Sequence, residues 1–161
     1  MKGSFKNMKS VLMVCHGNIC RSTMAEFVFK DMVAKAGLED KFNIASVGTS
    51  TEELGNPVHP GTRKKLAEHG ISCAGKYATQ LKRSDYDKYD YIIGMDRWNI
   101  KNMDRIFGGD PEGKVKLLLE YAGEQRDVDD PWYTGDFETT YRDVLRGCEG
   151  LFEYIMGKRV K

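Results

Sequence analysis

The chain has 161 residues, 25 Lys+Arg against 24 Asp+Glu, and is 40% hydrophobic and 11% aromatic. That length suits one compact domain with a sizeable core, expected over residues 1–161. A net charge of +1 leaves no concentrated basic face for nucleic acid, and no apolar run approaches the roughly 20 residues of a membrane span.

Residues 1–9 read as a polar extension. The opening MKGSFKNMKS lacks the apolar core of a secretory signal, so a cytoplasmic location is expected. Cys15, Cys20, Cys73 and Cys148 are expected there as thiols. Cys15 and Cys20 do not have Cys-x-x-Cys spacing, and no second Cys/His cluster completes a zinc site, so no metal or other cofactor is expected.

Val11-Leu12-Met13-Val14 is a continuous apolar run, the pattern of a strand buried on both faces. A glycine-containing loop follows. Ala25, Val28, Phe29, Met32 and Ala36 then recur at helical spacing, with Gly37 as the stop. A second strand is expected over Phe42 to Ser46 and a helix over Pro60 to His69, with Pro in its first turn. Tyr91-Ile92-Ile93-Gly94 reads as a third strand. Asp96 can cap a helix that buries Ile100, Met103 and Phe107. Val115 to Leu118 reads as a fourth strand. A last helix from about Phe137 carries Tyr141, Val144, Leu145, Cys148, Leu151, Phe152 and Ile155 at helical spacing. Alternating strands and helices predict an α/β fold in three layers: a central, twisted, four-stranded parallel sheet with helices on both faces. In such sheets ligands bind beyond the C-terminal strand ends, where Cys15 stands.

The loop Cys15-His16-Gly17-Asn18-Ile19-Cys20-Arg21-Ser22 lies between the first strand and the first helix. Its backbone N–H groups can turn inward around an anion, and the helix N-terminus adds further donors. Gly17 is expected to take a backbone conformation that other residues resist. Arg21 offers a planar fork matched to phosphate oxygens. A cysteine in such an electropositive cradle is suited to act as a thiolate nucleophile.

These residues, followed by Met24-Ala25-Glu26, resemble the signature of the low-molecular-weight protein tyrosine phosphatases. The resemblance runs from Lys9 to about Met156 and includes Gly55-Asn56-Pro57, His69-Gly70-Ile71, Met95-Asp96 and Asp130-Pro131-Trp132-Tyr133. It implies that Asn18 shapes the loop through hydrogen bonds and that Ser22 hydrogen-bonds the nucleophile; helix capping is a second use for Ser22. His16, Gly17, Ile19 and Cys20 complete the phosphate loop. Thr23 stands where most of the family has Pro, a change expected to touch loop rigidity only.

A phosphate ester needs a proton for its leaving oxygen, and Asp127, Asp129 and Asp130 are all candidates by position. The resemblance selects Asp130 as general acid and base, beside Cys15 and Arg21 as the catalytic set. It also makes Trp132 and Tyr133 walls of a slot for an aromatic ring. Where the family often has an aromatic on the opposite wall, this chain has Glu52, an acidic rim. The implied substrate is a phosphotyrosine-containing protein, a tyrosine kinase or its target, met by a monomer.

Two other activities share the scaffold. Arginine-phosphate phosphatases typically carry Thr where Ile19 stands. Arsenate reductases need resolving cysteines downstream, and residues 80–95 contain none. A phosphate-binding module without turnover would lack the nucleophile, arginine or acid, and all three residue types are present. Cys20 is close enough in sequence to Cys15 to suggest a reversible disulfide between them. Cys73 and Cys148 read as core.

Overall fold

The computed structural model describes residues 8–157. Strand β1 (Lys9–Cys15) lies at the middle of a parallel sheet, between β2 (Phe42–Gly48) and β3 (Tyr91–Gly94), and β4 (Val115–Leu117) pairs outside β3. The order β2-β1-β3-β4 reverses direction at β1, so the crevice beyond Cys15 is the switch point of the sheet.

Alternation along β1 explains the layers. Val11, Met13 and Cys15 face one cluster, formed with helix α1 (Arg21–Lys35), α2 (Pro60–Glu68) and the long C-terminal helix α6 (Phe137–Met156). Leu12 and Val14 face the other, formed with α3 (Asp85–Lys88) and α4 (Arg97–Phe107). A single turn, α5 (Pro131–Thr134), sits between β4 and α6. Three layers around four parallel strands are as the sequence predicts.

Several boundaries move. Lys9, assigned by sequence to the polar extension, opens β1, because it pairs with Phe42. Residues 1–7 of that extension lie outside the described residues. Strand β2 continues past Ser46 to Gly48, held by β1 as far as the Cys15–Gly48 pair. Helix α2 stops at Glu68, with His69 as its cap. Leu118 leaves β4 for a 3-10 turn (Leu118–Ala122). It packs closely on α6, where a Cβ on Gly147 would lie 2.4 Å from Leu118 Cγ. Ala25, Val28 and Phe29 of α1 are buried as expected, Met32 is half-buried and Ala36 exposed, and Met24 and Val33 join the buried side.

Candidate active site

The loop after β1 owes its shape to Asn18, and this corrects the expectation placed on Gly17. Asn18 has φ 61°, the only non-glycine among the described residues with a positive φ. Gly17 is not among the positive-φ glycines. Its lack of a side chain serves spacing, since a Cβ there would lie 3.1 Å from Glu53 Cγ.

The buried Asn18 side chain also orders the protons around Cys15. Its Oδ1 accepts from the Thr79 amide at 3.0 Å, which identifies the other end as the donor. Nδ2 donates to Ser46 Oγ (3.0 Å) and to Ser22 Oγ (2.9 Å). Ser46 Oγ donates in turn to Glu26 Oε1. Ser22, having accepted from Asn18, has its hydrogen free for Cys15 Sγ, 3.0 Å away. The Asn18 amide donates to the same sulfur at 3.3 Å. Two hydrogen bonds thus converge on one sulfur. Ser22 therefore serves the sulfur and is not a helix cap; Cys20 is the N-cap residue.

Glu26 anchors this chain of hydroxyls from a buried position, 3% exposed. Lys30 pairs with it, and Lys76 stands 3.4 Å away while donating to the Ser46 carbonyl at 2.7 Å. Burial pushes the Lys76 ammonium down from its ordinary value, with Glu26 opposing that loss.

Arg21, on the first turn of α1, is held by three groups from beyond the sheet. Nη1 donates to Asp96 Oδ2 (2.8 Å) and to the Val128 carbonyl (2.9 Å), and Nη2 reaches Asp130 Oδ2 at 3.5 Å. Burial works against its charge, but the Cys15 sulfur and the carboxylates of Asp96 and Asp130 outweigh burial and raise its pKa. Asp96 does two things at once. Its Oδ1 accepts from the Asn99 amide to cap α4, and its Oδ2 holds Arg21.

The three candidate aspartates separate cleanly. Asp127 Oδ1 accepts from the Arg97 amide at 3.1 Å, at the start of α4. Asp129 is exposed, and its carbonyl accepts from Thr140. Asp130 alone of the three lines the cavity above Cys15. Its Oδ1 caps α5 by accepting from the Trp132 amide at 3.1 Å, which leaves Oδ2 turned to Arg21. The loop before it is pinned: Val128 N donates to the Met95 carbonyl (2.8 Å), and Arg126 grips Asp143 of α6 with two bonds of 3.1 and 2.9 Å.

The cavity measures about 110 Å³ and is lined by Cys15, His16, Gly17, Ile19, Cys20, Arg21, Glu52, Glu53, Asp130, Trp132 and Tyr133. Every sequence-predicted site residue except Asn18 and Ser22 thus faces it, and those two act from beneath. Neither Trp132 (55% exposed) nor Tyr133 (84% exposed) is core packing. Across the mouth His16 Nε2 lies 3.2 Å from Glu52 Oε1, so the acidic rim reaches back to the phosphate loop. Cys20 is buried, and burial first, then the neighbouring Cys15 sulfur and Asp130, push its thiol up to about 12. Cys73 and Cys148 lie in the core as expected. Among the described residues no three His, Cys, Asp or Glu side chains group as metal ligands.

Sequence reasoning missed Ser46, Thr79, Lys76 and Glu53, and gave Glu26 and Asp96 no role in the site beyond their places in the signature and, for Asp96, a helix cap. A polar residue at a core position of a strand was the available signal for Ser46, which is 1% exposed.

A family model described as low molecular weight phosphotyrosine protein phosphatase matches residues 10–161. The chain is 44% identical to the low molecular weight protein-tyrosine-phosphatase YfkJ of Bacillus subtilis, over 94% of this chain and 99% of that protein. The crystal structure of YfkJ superposes with a TM-score of 0.90, covering 95% of this chain and 98% of that one. The low molecular weight protein tyrosine phosphatase SP-PTP of Streptococcus pyogenes is 41% identical, with a TM-score of 0.81 and coverage of 96% and 95%.

Proposed function

The chain belongs to the low-molecular-weight phosphotyrosine protein phosphatase family, and we propose that it hydrolyses phosphotyrosine and aryl phosphate monoesters through a phosphocysteine. The observation that carries this reading is one cavity that joins a doubly hydrogen-bonded sulfur, a buried arginine and a carboxyl group from a separate loop. In the first step the Cys15 sulfur attacks phosphorus and the bond from phosphorus to the aryl oxygen breaks. Asp130 gives its proton to the departing oxygen. In the second, water attacks the phosphocysteine while Asp130 takes a proton from it, and inorganic phosphate leaves with Cys15 regenerated. Arg21 and the loop amides hold the phosphoryl oxygens throughout, which places fixed positive charge where negative charge accumulates.

The aryl preference rests on Trp132 and Tyr133 at the mouth, and on Ile19, which is buried at the cavity wall beside Cys20 and Ala78. A phosphotyrosine-bearing protein, a tyrosine kinase or its target, is the substrate that fits, met in the cytoplasm by a monomer. Hydrolysis of phosphotyrosine, phosphoserine, phosphoarginine and an aryl phosphate by wild type and Asp130→Ala tests the reading. Turnover is expected for the two aryl esters, and Asp130→Ala should lower kcat by about 10²–10⁴-fold. Preferential turnover of phosphoarginine would overturn the substrate, and an unimpaired Asp130→Ala would move the acid to Asp129 or Asp127.

A further inference from the structure

His59 does two things at the start of α2. Its Nδ1 accepts from the Gly61 amide at 2.9 Å, so it caps the helix. A ring that accepts at Nδ1 carries its proton on Nε2 when neutral. The same ring is stacked on Phe137, the first residue of α6, with centroids 5.2 Å apart at 24°. Its other neighbour is Trp132, met edge to face at 5.6 Å and 77°. The His59 amide donates to the Ile19 carbonyl at 2.9 Å, so its backbone is tied directly to the phosphate loop. Gly61 makes the arrangement possible, because a Cβ there would lie 2.3 Å from the Phe137 ring.

Trp132 needs such a support. It belongs to a single helical turn, is 55% exposed, and among the described residues His59 is the aromatic ring it meets. We propose that His59 is a specificity-determining positioning residue: it sets the distance between the phosphate loop and the Trp132 wall, and so the room for a planar leaving group. This rests on the aryl phosphatase reading. An aryl ester feels the wall and an alkyl ester does not, so His59 governs the choice between them without touching the phosphoryl group.

Two variants separate the cap from the ring. His59→Asn keeps a side-chain oxygen for the Gly61 amide and removes the ring. His59→Phe keeps a ring and removes the cap. KM for an aryl phosphate should rise about two- to tenfold in His59→Asn, the factor to which one aromatic contact converts, with kcat changed less and the KM for an alkyl phosphate unmoved. His59→Phe should bring KM back towards wild type while lowering Tm. In a Trp132→Ala background His59→Asn should add nothing. With Trp98→Phe in place, so that emission comes from Trp132, His59→Asn should steepen iodide quenching. An unchanged KM, or an equal effect with and without Trp132, overturns the proposal while leaving the phosphatase reading intact. If wild type turns over no aryl phosphate, that reading fails and takes the specificity role with it, and quenching then decides whether His59 positions Trp132.

Discussion

Asn18 holds a backbone conformation that costs a side-chain-bearing residue about 1–3 kcal/mol. Its hydrogen bonds to Thr79, Ser22, Ser46 and Cys15 offset that strain, and those of its side chain hold Nδ2 against Ser22 Oγ. Asn18→Ala should therefore slow alkylation of Cys15 by iodoacetamide near neutral pH, because Ser22 loses the donor that directs its hydrogen to the sulfur. An alkylation rate equal to wild type would contradict this. Cys20 should resist the same reagent. Its thiol, pushed up to about 12, stays protonated and buried at pH 7, so peptide mapping should find the label on Cys15 alone of the pair. Asp96→Asn keeps an oxygen for the Asn99 amide but removes the charge that Arg21 faces at 2.8 Å. It should cost activity through Arg21 placement, with less loss of Tm than Asp96→Ala.

At the scale of elements, close backbone approach decides more than propensity does. Gly150 lies in the middle of α6, where alanine would favour the helix by about 1 kcal/mol. A Cβ there would sit 2.0 Å from the Tyr121 carbonyl oxygen, which is backbone and has little room to move. Overpacking of that kind costs about 1–3 kcal/mol or more, so Gly150→Ala should lower Tm despite its better propensity. Thr49→Val should act the other way. Its Oγ1 is the buried side-chain oxygen among the described residues that has no hydrogen-bond partner, and removing it relieves about 1–3 kcal/mol of desolvation. The same contrast explains what the sequence could show. The periods of α1, α4 and α6 and the apolar runs of β1 and β3 are legible because burial writes them as repeated apolar positions. The exchange of Leu118 from strand to 3-10 turn is not, because one apolar residue at a strand end carries no period and the Gly147 it packs on leaves none either. Ser46 and Thr79 were invisible, and the part Glu26 plays unreadable, for a related reason. A polar residue in a core reads as an interruption until its partner, distant in sequence, is seen beside it.

The whole molecule arranges four loop regions around one switch point. The phosphate loop follows β1, Thr49 to Glu53 follow β2, Asp96 follows β3, and Asp130 follows β4 and its 3-10 turn. Three of these deliver charge or a rim to the first: the motif around Cys15 was readable by itself, Asp130 and Glu52 through the resemblance, and the hold of Asp96 on Arg21 only in the fold. The buried acids of the same interior set a limit on stability. Burial pushes Cys20 up from 9.0 to about 12 and pushes Cys148 and Tyr121 up as well. Each binds its proton more tightly folded than unfolded, so their contribution is full below about pH 9 and declines as pH rises towards 12. Urea midpoints should hold to about pH 9 and fall from there to pH 11, and a profile flat to pH 11 would contradict that linkage. The phosphatase chemistry stands on Cys15, and steady-state hydrolysis of an aryl phosphate by Cys15→Ser, at a Tm matching wild type, is the decisive measurement. Loss of the nucleophile should lower kcat by at least about 10³-fold; turnover at the wild-type rate would rule Cys15 out as nucleophile.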